Sequence, residues 1–467
     1  MEIFIPHYAL FRDTVVSMKN VRKGFYDELL ILVLPIIFQN LITSAVTMAD
    51  VIMLGRVDQV SLSASSLAGQ VQFLLSIVYF GLASALTILA SQYWGKQDRK
   101  IISKIFAIGL IISMVFSLTA CLGAMFVPQI VIRFWTNVPE LIDAGAVYLR
   151  YAAMSYFFAG ISQPYLAICK SCERVKKATA ISVTSFITNL VFNALLIFGL
   201  FGFPQMGIAG AALATSISRG IELMLCVLDY LRTDTLIRDI REMFRIPKEL
   251  VSDFARYSLP AFINDAIWAF AYNMNSVIMG HLGSDIVAAS SVVNVVRELV
   301  TTVGFGISSA SAIMLGKEIG ENLIARAEQD ASTILKLSII VSAVQGLVLL
   351  AMSPFVPGFV VISETAGSYL KIMLYISSVY QGGQIINTLL ISSFFRCGGD
   401  SRYGLLLDTV SMWGVAVPLG LISAFVLKLP PIIVYALMCT DEFVKMPAAL
   451  YHYKKGGWIR NLTRDFA

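Results

Sequence analysis

Polar residues along this chain are sparse, and between them run long apolar stretches. Twelve such stretches lie near 29–54, 60–92, 105–128, 144–168, 179–200, 207–229, 255–280, 286–315, 332–352, 367–394, 404–427 and 432–452. A bilayer core takes about 20 apolar residues per helix, and each stretch approaches or exceeds that length. They are too long and too uniformly apolar for barrel strands, so the pattern predicts an all-α integral membrane protein with twelve transmembrane helices. Composition strengthens this reading. Of the 467 residues, 57% are hydrophobic and 14% are charged, whereas an ordinary soluble domain has about 25% charged residues.

Charge adds direction. If the N-terminus is cytoplasmic, the outer loops hold only Arg56, Arg133 and Lys428. The inner loops hold most of the remaining lysine and arginine, including Lys96, Arg99, Lys100, Arg174, Lys176, Lys177, Arg238 and Arg241. This bias persists along the chain and predicts both termini inside. The net charge of +5 then reflects topology and carries no nucleic-acid role. Residues 1–28 contain Arg12, Lys19, Arg22 and Lys23 with no short apolar core before a small-residue cleavage site, so no cleaved signal is expected. The six cysteines fall in the spans or at their inner ends, where disulfides are rare.

The chain also repeats itself. A shift that carries Leu34-Pro35 onto Leu259-Pro260 also carries Gly55 onto Gly280 and "ASS" at 64–66 onto "ASS" at 289–291. The same shift matches Phe80-Gly81 with Phe305-Gly306 and Gly95 with Gly320. Shared apolar composition does not explain prolines and glycines matched in one register. Further on, "YLR" at 148–150 and "YLK" at 369–371 correspond at a slightly different shift. A unit of six spans is even, so both copies face the same way, as in secondary transporters built from parallel repeats. The expected organisation is an N-terminal cytoplasmic segment 1–28, an N-lobe 29–230, a cytoplasmic linker 231–254, a C-lobe 255–453 and a cytoplasmic tail 454–467. The linker sequence "RTDTLIRDIREMFRIPKEL" predicts an amphipathic helix at the membrane surface.

Candidate chemistry lies in the polar residues inside the spans. At 100° per residue, Gln39, Asn40, Thr43, Ser44, Thr47 and Asp50 share an arc of about 140° on span 1. Such stripes face a bundle interior or a water-filled cavity, and a mid-span carboxylate costs roughly 2.5–3.5 kcal/mol on insertion scales. Serine, threonine and asparagine also serve as helix–helix glue. Span 7 has the same design, with Asn264, Asp265, Trp268, Tyr272, Asn275 and Ser276 on one face. The repeat pairs Asn40 with Asp265 and Asp50 with Asn275, so each half keeps one acid at a different level. A carboxylate there can carry a proton, join oxygen ligands around Na⁺, or pair with a cationic substrate, with Trp268 and Tyr272 adding cation–π attraction. Gln384 and Asn387 in span 10 line a cavity or act as glue. Pairing is expected for Arg219 with Glu222, for Asp441 and Glu442 with Lys445, and for Arg297 and Glu298 with each other or a neighbour.

These residues carry a family resemblance. "LPIIFQNLITSAVTMADVIMLGR", with Pro35, Asp50 and Gly55, resembles the first span of the multidrug and toxic compound extrusion family. "SQYWGKQD" after span 2, "GKEIG" at 316–320, "NLVFNALLIFG" in span 5, "GIAGAALAT" in span 6 and "RCGGDSR" after span 10 are similar too. The resemblance implies two six-helix bundles and export of amphipathic or cationic compounds in exchange for H⁺ or Na⁺ by alternating access. It implies that Asp50 takes part in ion coupling. Members with an N-lobe ion site place an asparagine in span 5 and an aspartate four residues on. Here those positions are Asn189 and Asn193, and Thr215 matches a span 6 hydroxyl of that site. The implied coupling set is Asp50, Asn189, Asn193 and Thr215, with Asp265 in the second half. Na⁺ could sit at Asp50, Asn189 and Thr215. The implied substrate cavity is lined by Gln39, Asn40, Thr43, Thr47, Asn264, Trp268, Tyr272, Asn275 and Gln384.

The alternative within the superfamily is a lipid-linked saccharide flippase. Its anionic head groups would need clustered cations, and the span interiors offer only Arg150, Arg219, Arg297, Lys336, Lys371 and Lys445. An enzyme is disfavoured because the histidines His7, His281 and His452 are scattered and no HExxH, GxSxG or P-loop occurs. No cofactor is expected beyond the coupling ion. The partners expected are small amphipathic or cationic molecules and membrane lipids, with no nucleic acid. A monomer suffices because both halves lie on one chain.

Overall fold

A computed structural model of the chain describes residues 24–466 apart from Asp58 and Val361, without the side chains of Thr47, Val51, Ile52, Gln59 and Phe359. Most of the expected segment 1–28 lies outside the described residues. Among them, twelve long helical stretches follow one another. They are α1 (Phe25–Gly55), α2 (Gln59–Gly95), α3 (Arg99–Phe126), α4 (Pro139–Ser171), α5 (Val175–Phe198) and α6 (Ile208–Arg232), then α7 (248–280), α8 (Ser284–Gly320), α9 (Ile324–Met352), α10 (364–397), α11 (Ser401–Val426) and α12 (431–455). The protein is an all-α membrane protein. Eight of these helices pair sufficient length with strong apolarity. The other four, α4, α7, α10 and α12, carry more of the polar residues considered below. In α7, α10 and α11, π-helical turns interrupt the α-helix at Phe254–Ser258, Leu389–Phe395 and Thr409–Ala416. Helix α12 breaks at Cys439–Thr440.

The chain forms two compact units. One comprises 35–266 with 463–466, and the other comprises 24–34 with 267–462. The division therefore falls inside α1 at Pro35 and inside α7 just after Asp265. Each unit repeats one packing scheme. In the first, α4 packs against α2, α3 and α6. In the second, α10 packs against α8, α9 and α12. The central helix is thus the fourth of each half. Small residues allow this close approach: Ala152, Ala153 and Ala159 of α4 are buried against Ala68 and Ala212.

The repeat extends to backbone detail. Helices α2 and α8 end on Gln97 (φ 62) and Asn322 (φ 63), and α4 and α10 end on Glu173 (φ 59) and Gly399 (φ 82). In all four, the amide of the next residue reaches back to a carbonyl five residues earlier. These bonds are Asp98 to Tyr93, Leu323 to Glu318, Arg174 to Cys169 and Asp400 to Phe395. Such left-handed caps satisfy carbonyls that would otherwise be orphaned at the helix end.

The linker differs from the sequence expectation. There is no single amphipathic helix over 231–254. Helix α6 runs to Arg232, and a short helix Ile240–Phe244 follows, capped by the Asp239 carboxylate on the amides of Arg241 and Glu242. Pro247 then disfavours helical geometry at Ile246, and α7 starts at Lys248. Leu236 and Met243 are buried, Lys104 pairs with Glu242 at 3.1 Å, and the Ile237 amide donates to the Ser103 hydroxyl at 2.9 Å. The linker is therefore tied to α3.

Close helix contact gives a direct test of packing. A Cβ at Gly210 would lie 2.6 Å from the backbone oxygen of Leu196, where α6 crosses α5. Backbone cannot yield as a side-chain tip does, and overpacking costs about 1–3 kcal/mol. Gly210→Val is expected to lower the thermal midpoint of the detergent-solubilised protein by several degrees. Gly69→Ala, with open space around its Cβ, should leave that midpoint nearly unchanged.

Candidate functional site

In the first unit, four of the residues expected to couple ions meet in one chain of hydrogen bonds. Helix α5 presents Asn189 and Asn193 one turn apart on its buried face. Asn193 Nδ2 donates to Asp50 Oδ1 at 2.5 Å and to Asn189 Oδ1 at 3.2 Å. Asn189 Nδ2 donates to Thr215 Oγ1 at 3.3 Å, and that hydroxyl donates back to its own helix at Ala211 O, 3.1 Å away. Both asparagines are buried, and Asp50 is half-buried. Asn193 Oδ1 is shielded from solvent and accepts no hydrogen bond.

Sequence reasoning passed over one member of this group. Tyr148 of α4 lies beside Thr215 and within electrostatic range of Asp50. Its signal was the repeated "YLR"/"YLK" motif, which reads locally as an ordinary helix segment. The expected Arg219–Glu222 pair is also present, at 2.8 Å. Glu222 is fully buried and accepts from Ser162 at 2.6 Å and Gln163 at 3.0 Å. With those partners its charge is satisfied, which suits a structural tie between α4 and α6.

In the second unit, a cavity of about 60 Å³ is bordered by α7, α8, α10, α11 and α12. Trp268, Tyr272, Asn275 and Gln384 line it, as does Arg297. Trp268 and Tyr272 stack with centroids 5.7 Å apart and planes 15° apart. Arg297 does not rely on Glu298. Its Nη2 donates to Gln384 Oε1 at 3.2 Å, and its guanidinium lies 4.6 Å from the centre of the Tyr380 ring. Asn264 and Asp265 are buried but belong to the first unit and do not line this cavity. Gln39, Asn40 and Thr43 do not line it either, and the Thr43 hydroxyl donates to Gln39 O at 2.8 Å. The Thr47 side chain lies outside the described residues.

Beside the cavity is a buried charge cluster. Lys445 Nζ lies 3.0 Å from Asp408 Oδ1, 3.1 Å from Glu442 Oε1 and 3.7 Å from Asp441 Oδ2. Asn387 Nδ2 donates to Glu442 Oε2 at 2.8 Å and to the Glu442 carbonyl at 2.7 Å. All four charged residues are at most 5% exposed. The pairing of Asp441 and Glu442 with Lys445 was legible as helical spacing. Asp408 was not, because it arrives from α11.

Three comparisons place this arrangement among known proteins. The MatE family model matches residues 35–195 and again 260–422, so its two matches begin at the positions that the internal repeat superposes. The chain is 22% identical to "Uncharacterized transporter YisQ" of Bacillus subtilis (strain 168), over 97% of this chain and 98% of that protein. It is 24% identical to "Probable multidrug resistance protein YoeA" of the same organism, over 90% and 91% respectively. Among solved structures, the outward-facing conformation of a multidrug resistance MATE family transporter of the MOP superfamily matches with a TM-score of 0.82. That match has 17% identity and covers 94% of this chain and 98% of the other. The bent form of the Vibrio cholerae MATE transporter VcmN matches with a TM-score of 0.81 and 15% identity, covering 93% and 97%.

Proposed function

We propose a function from one premise: this chain belongs to the MatE family. It is accordingly a multi-pass membrane protein with the twelve-helix MATE fold, and a secondary transporter of small molecules rather than an enzyme. Our reading is that it exports amphipathic, often cationic, organic compounds in exchange for H⁺ or Na⁺ by alternating access. The multidrug names of its relatives support the substrate class. The lysine and arginine bias supports cytoplasmic termini in the plasma membrane, and a monomer suffices.

The observation that carries the coupling role is the Asp50–Asn193 contact. Both amide hydrogens of Asn193 are engaged, one by Asp50 and one by Asn189, and its oxygen is left over. An amide in that place stabilises the ionised carboxylate as a donor. Through its oxygen it can also accept from a protonated carboxyl, or serve as a neutral ligand to Na⁺. Asp50 can therefore exist in both states without a second acid. The absence of a partner carboxylate at position 193 favours H⁺ over Na⁺. Trp268 and Tyr272 offer ring faces to an amphipathic compound. A cavity of about 60 Å³ has room for water but not for an organic compound, so substrate entry requires it to widen.

The test uses purified protein in liposomes with a cationic dye. An imposed proton gradient without Na⁺ is expected to drive dye movement against its own gradient. Dye that moves under neither a proton nor a Na⁺ gradient, with labelled lipid flipped instead, would replace this reading by the flippase.

A further inference from the structure

The charge cluster of the second unit is not used by that reading, and its composition is unbalanced. The break at Cys439–Thr440 places Asp441 and Glu442 in the first turn of a new helical segment. Lys445, about one turn on, faces both, and Asp408 joins from α11. Three buried carboxylates thus meet one ammonium. The helix N-terminus adds roughly half a positive charge, and the single ammonium reaches the three carboxylates unequally, at 3.0, 3.1 and 3.7 Å. Arg297, the next cation on the cavity wall, is held by the neutral Gln384 and Tyr380 and keeps its charge. A buried carboxylate oxygen that lacks a hydrogen bond is costly as an anion, and the simplest relief is a proton.

Geometry singles out which carboxylate takes it. Asp408 is 3.0 Å from the ammonium, and Glu442 is held by Lys445 and Asn387. Asp441 is 97% buried, and its Oδ2 accepts no hydrogen bond; the ammonium is 3.7 Å away. Of the four charged residues, Asp441 alone lines the cavity. That cavity is several times larger than the roughly 10–15 Å³ one water needs. Its wall is polar at Asn275, Asn294, Arg297 and Gln384, and Asn275 Oδ1 is likewise buried without a partner. Water can therefore reach Asp441 Oδ2, which has nothing bonded to it. The titratable or charged groups facing Asp441 are Tyr272 from α7, Arg297 from α8, Tyr380 from α10, Asp408 from α11, and Tyr435, Cys439, Glu442 and Lys445 from α12 itself.

We propose that Asp441 is a second proton-carrying site, loaded and unloaded through the water of this cavity. A hydronium ion there gives its proton to Asp441 Oδ2, an O–H bond forms, and the cluster loses one negative charge. Release reverses this step and returns the proton to water. The chain then carries two exchangeable protons, one on Asp50 in the first unit and one on Asp441 in the second. This goes beyond the proposed export function, and its test does not depend on transport.

The experiment is an infrared difference titration of the purified full-length chain in detergent, between acidic and alkaline buffer without Na⁺. Wild type is expected to show two protonated-carboxyl bands. Asp50→Asn removes one, Asp441→Asn removes the other, and the double variant removes both. Glu442→Gln and Asp408→Asn leave the second band in place. If Asp441→Asn does not fold, Asp441→Glu keeps a carboxyl, and its band must shift in frequency. An Asp441→Asn spectrum with full amplitude, an unshifted Asp441→Glu band, or a signal that answers to Na⁺ and not to pH overturns the proposal. Loss of the Asp50 band alone, or failure of dye export, bears on the export reading and not on this one.

Discussion

Asp50→Asn is expected to abolish ion-driven export while the protein still inserts and folds. The substitution is nearly isosteric, so the contact with Asn193, 2.5 Å away in the wild type, can be remade as an amide–amide hydrogen bond. What disappears is the capacity to alternate between a charged and a neutral state. Without that, an imposed gradient cannot do work on the substrate, and dye movement should fall to the level of empty liposomes. Asn193→Ala is the companion variant. A hydrogen bond to a charged group contributes about 1.5–3 kcal/mol, so its loss should slow export by roughly tenfold or more without abolishing it. Dye flux and the yield of folded protein, measured on the same preparations, check both. Full export by well-folded Asp50→Asn would remove Asp50 from the coupling step.

Lys445→Met is expected to produce the largest loss of stability. The substitution keeps much of the side-chain volume and removes the ammonium that Asp408, Asp441 and Glu442 share. Breaking a buried ion pair from one side costs about 3–5 kcal/mol, because the remaining charge is left uncompensated. A substantial drop in thermal midpoint, or loss of detergent-soluble protein, should follow. The loss should be smaller in acid, where the stranded carboxylates can protonate. Adding Asp408→Asn to Lys445→Met should recover part of it, since removing both members of a pair costs less than removing one. Thermal unfolding of the two variants at two pH values reads this directly. Equal midpoints for wild type and Lys445→Met would mean that the cluster contributes nothing to stability.

Much of the architecture was legible in one dimension. Insertion into a bilayer depends on the apolarity of about 20 consecutive residues, which is a local property, so each helical stretch could be read from its own segment. The repeat was legible for a related reason. Pro35 and Pro260, or Gly95 and Gly320, mark backbone events that need only their own neighbours, and the matching caps at Gln97 and Asn322 are of that kind. The linker was misread because amphipathic spacing over 231–254 is a weaker signal than the local veto of Pro247 and the cap at Asp239.

What the sequence determined by itself, then, was the membrane class, the span order, the repeat, the family resemblance and the polar faces that had to be buried somewhere. Which buried group meets which was settled by the assembly of the helices. Asp50 and Asn193 lie 143 residues apart and touch. Asp408 reaches Lys445 across 37 residues. Asp265 is counted with the first unit, although its helix continues into the second. The physical reason is that hydropathy fixes a helix's place in the membrane but hardly constrains its rotation or its neighbours. Those are set by close packing of small side chains and by the cost of burying polar atoms without partners, and both act only when the whole bundle is assembled.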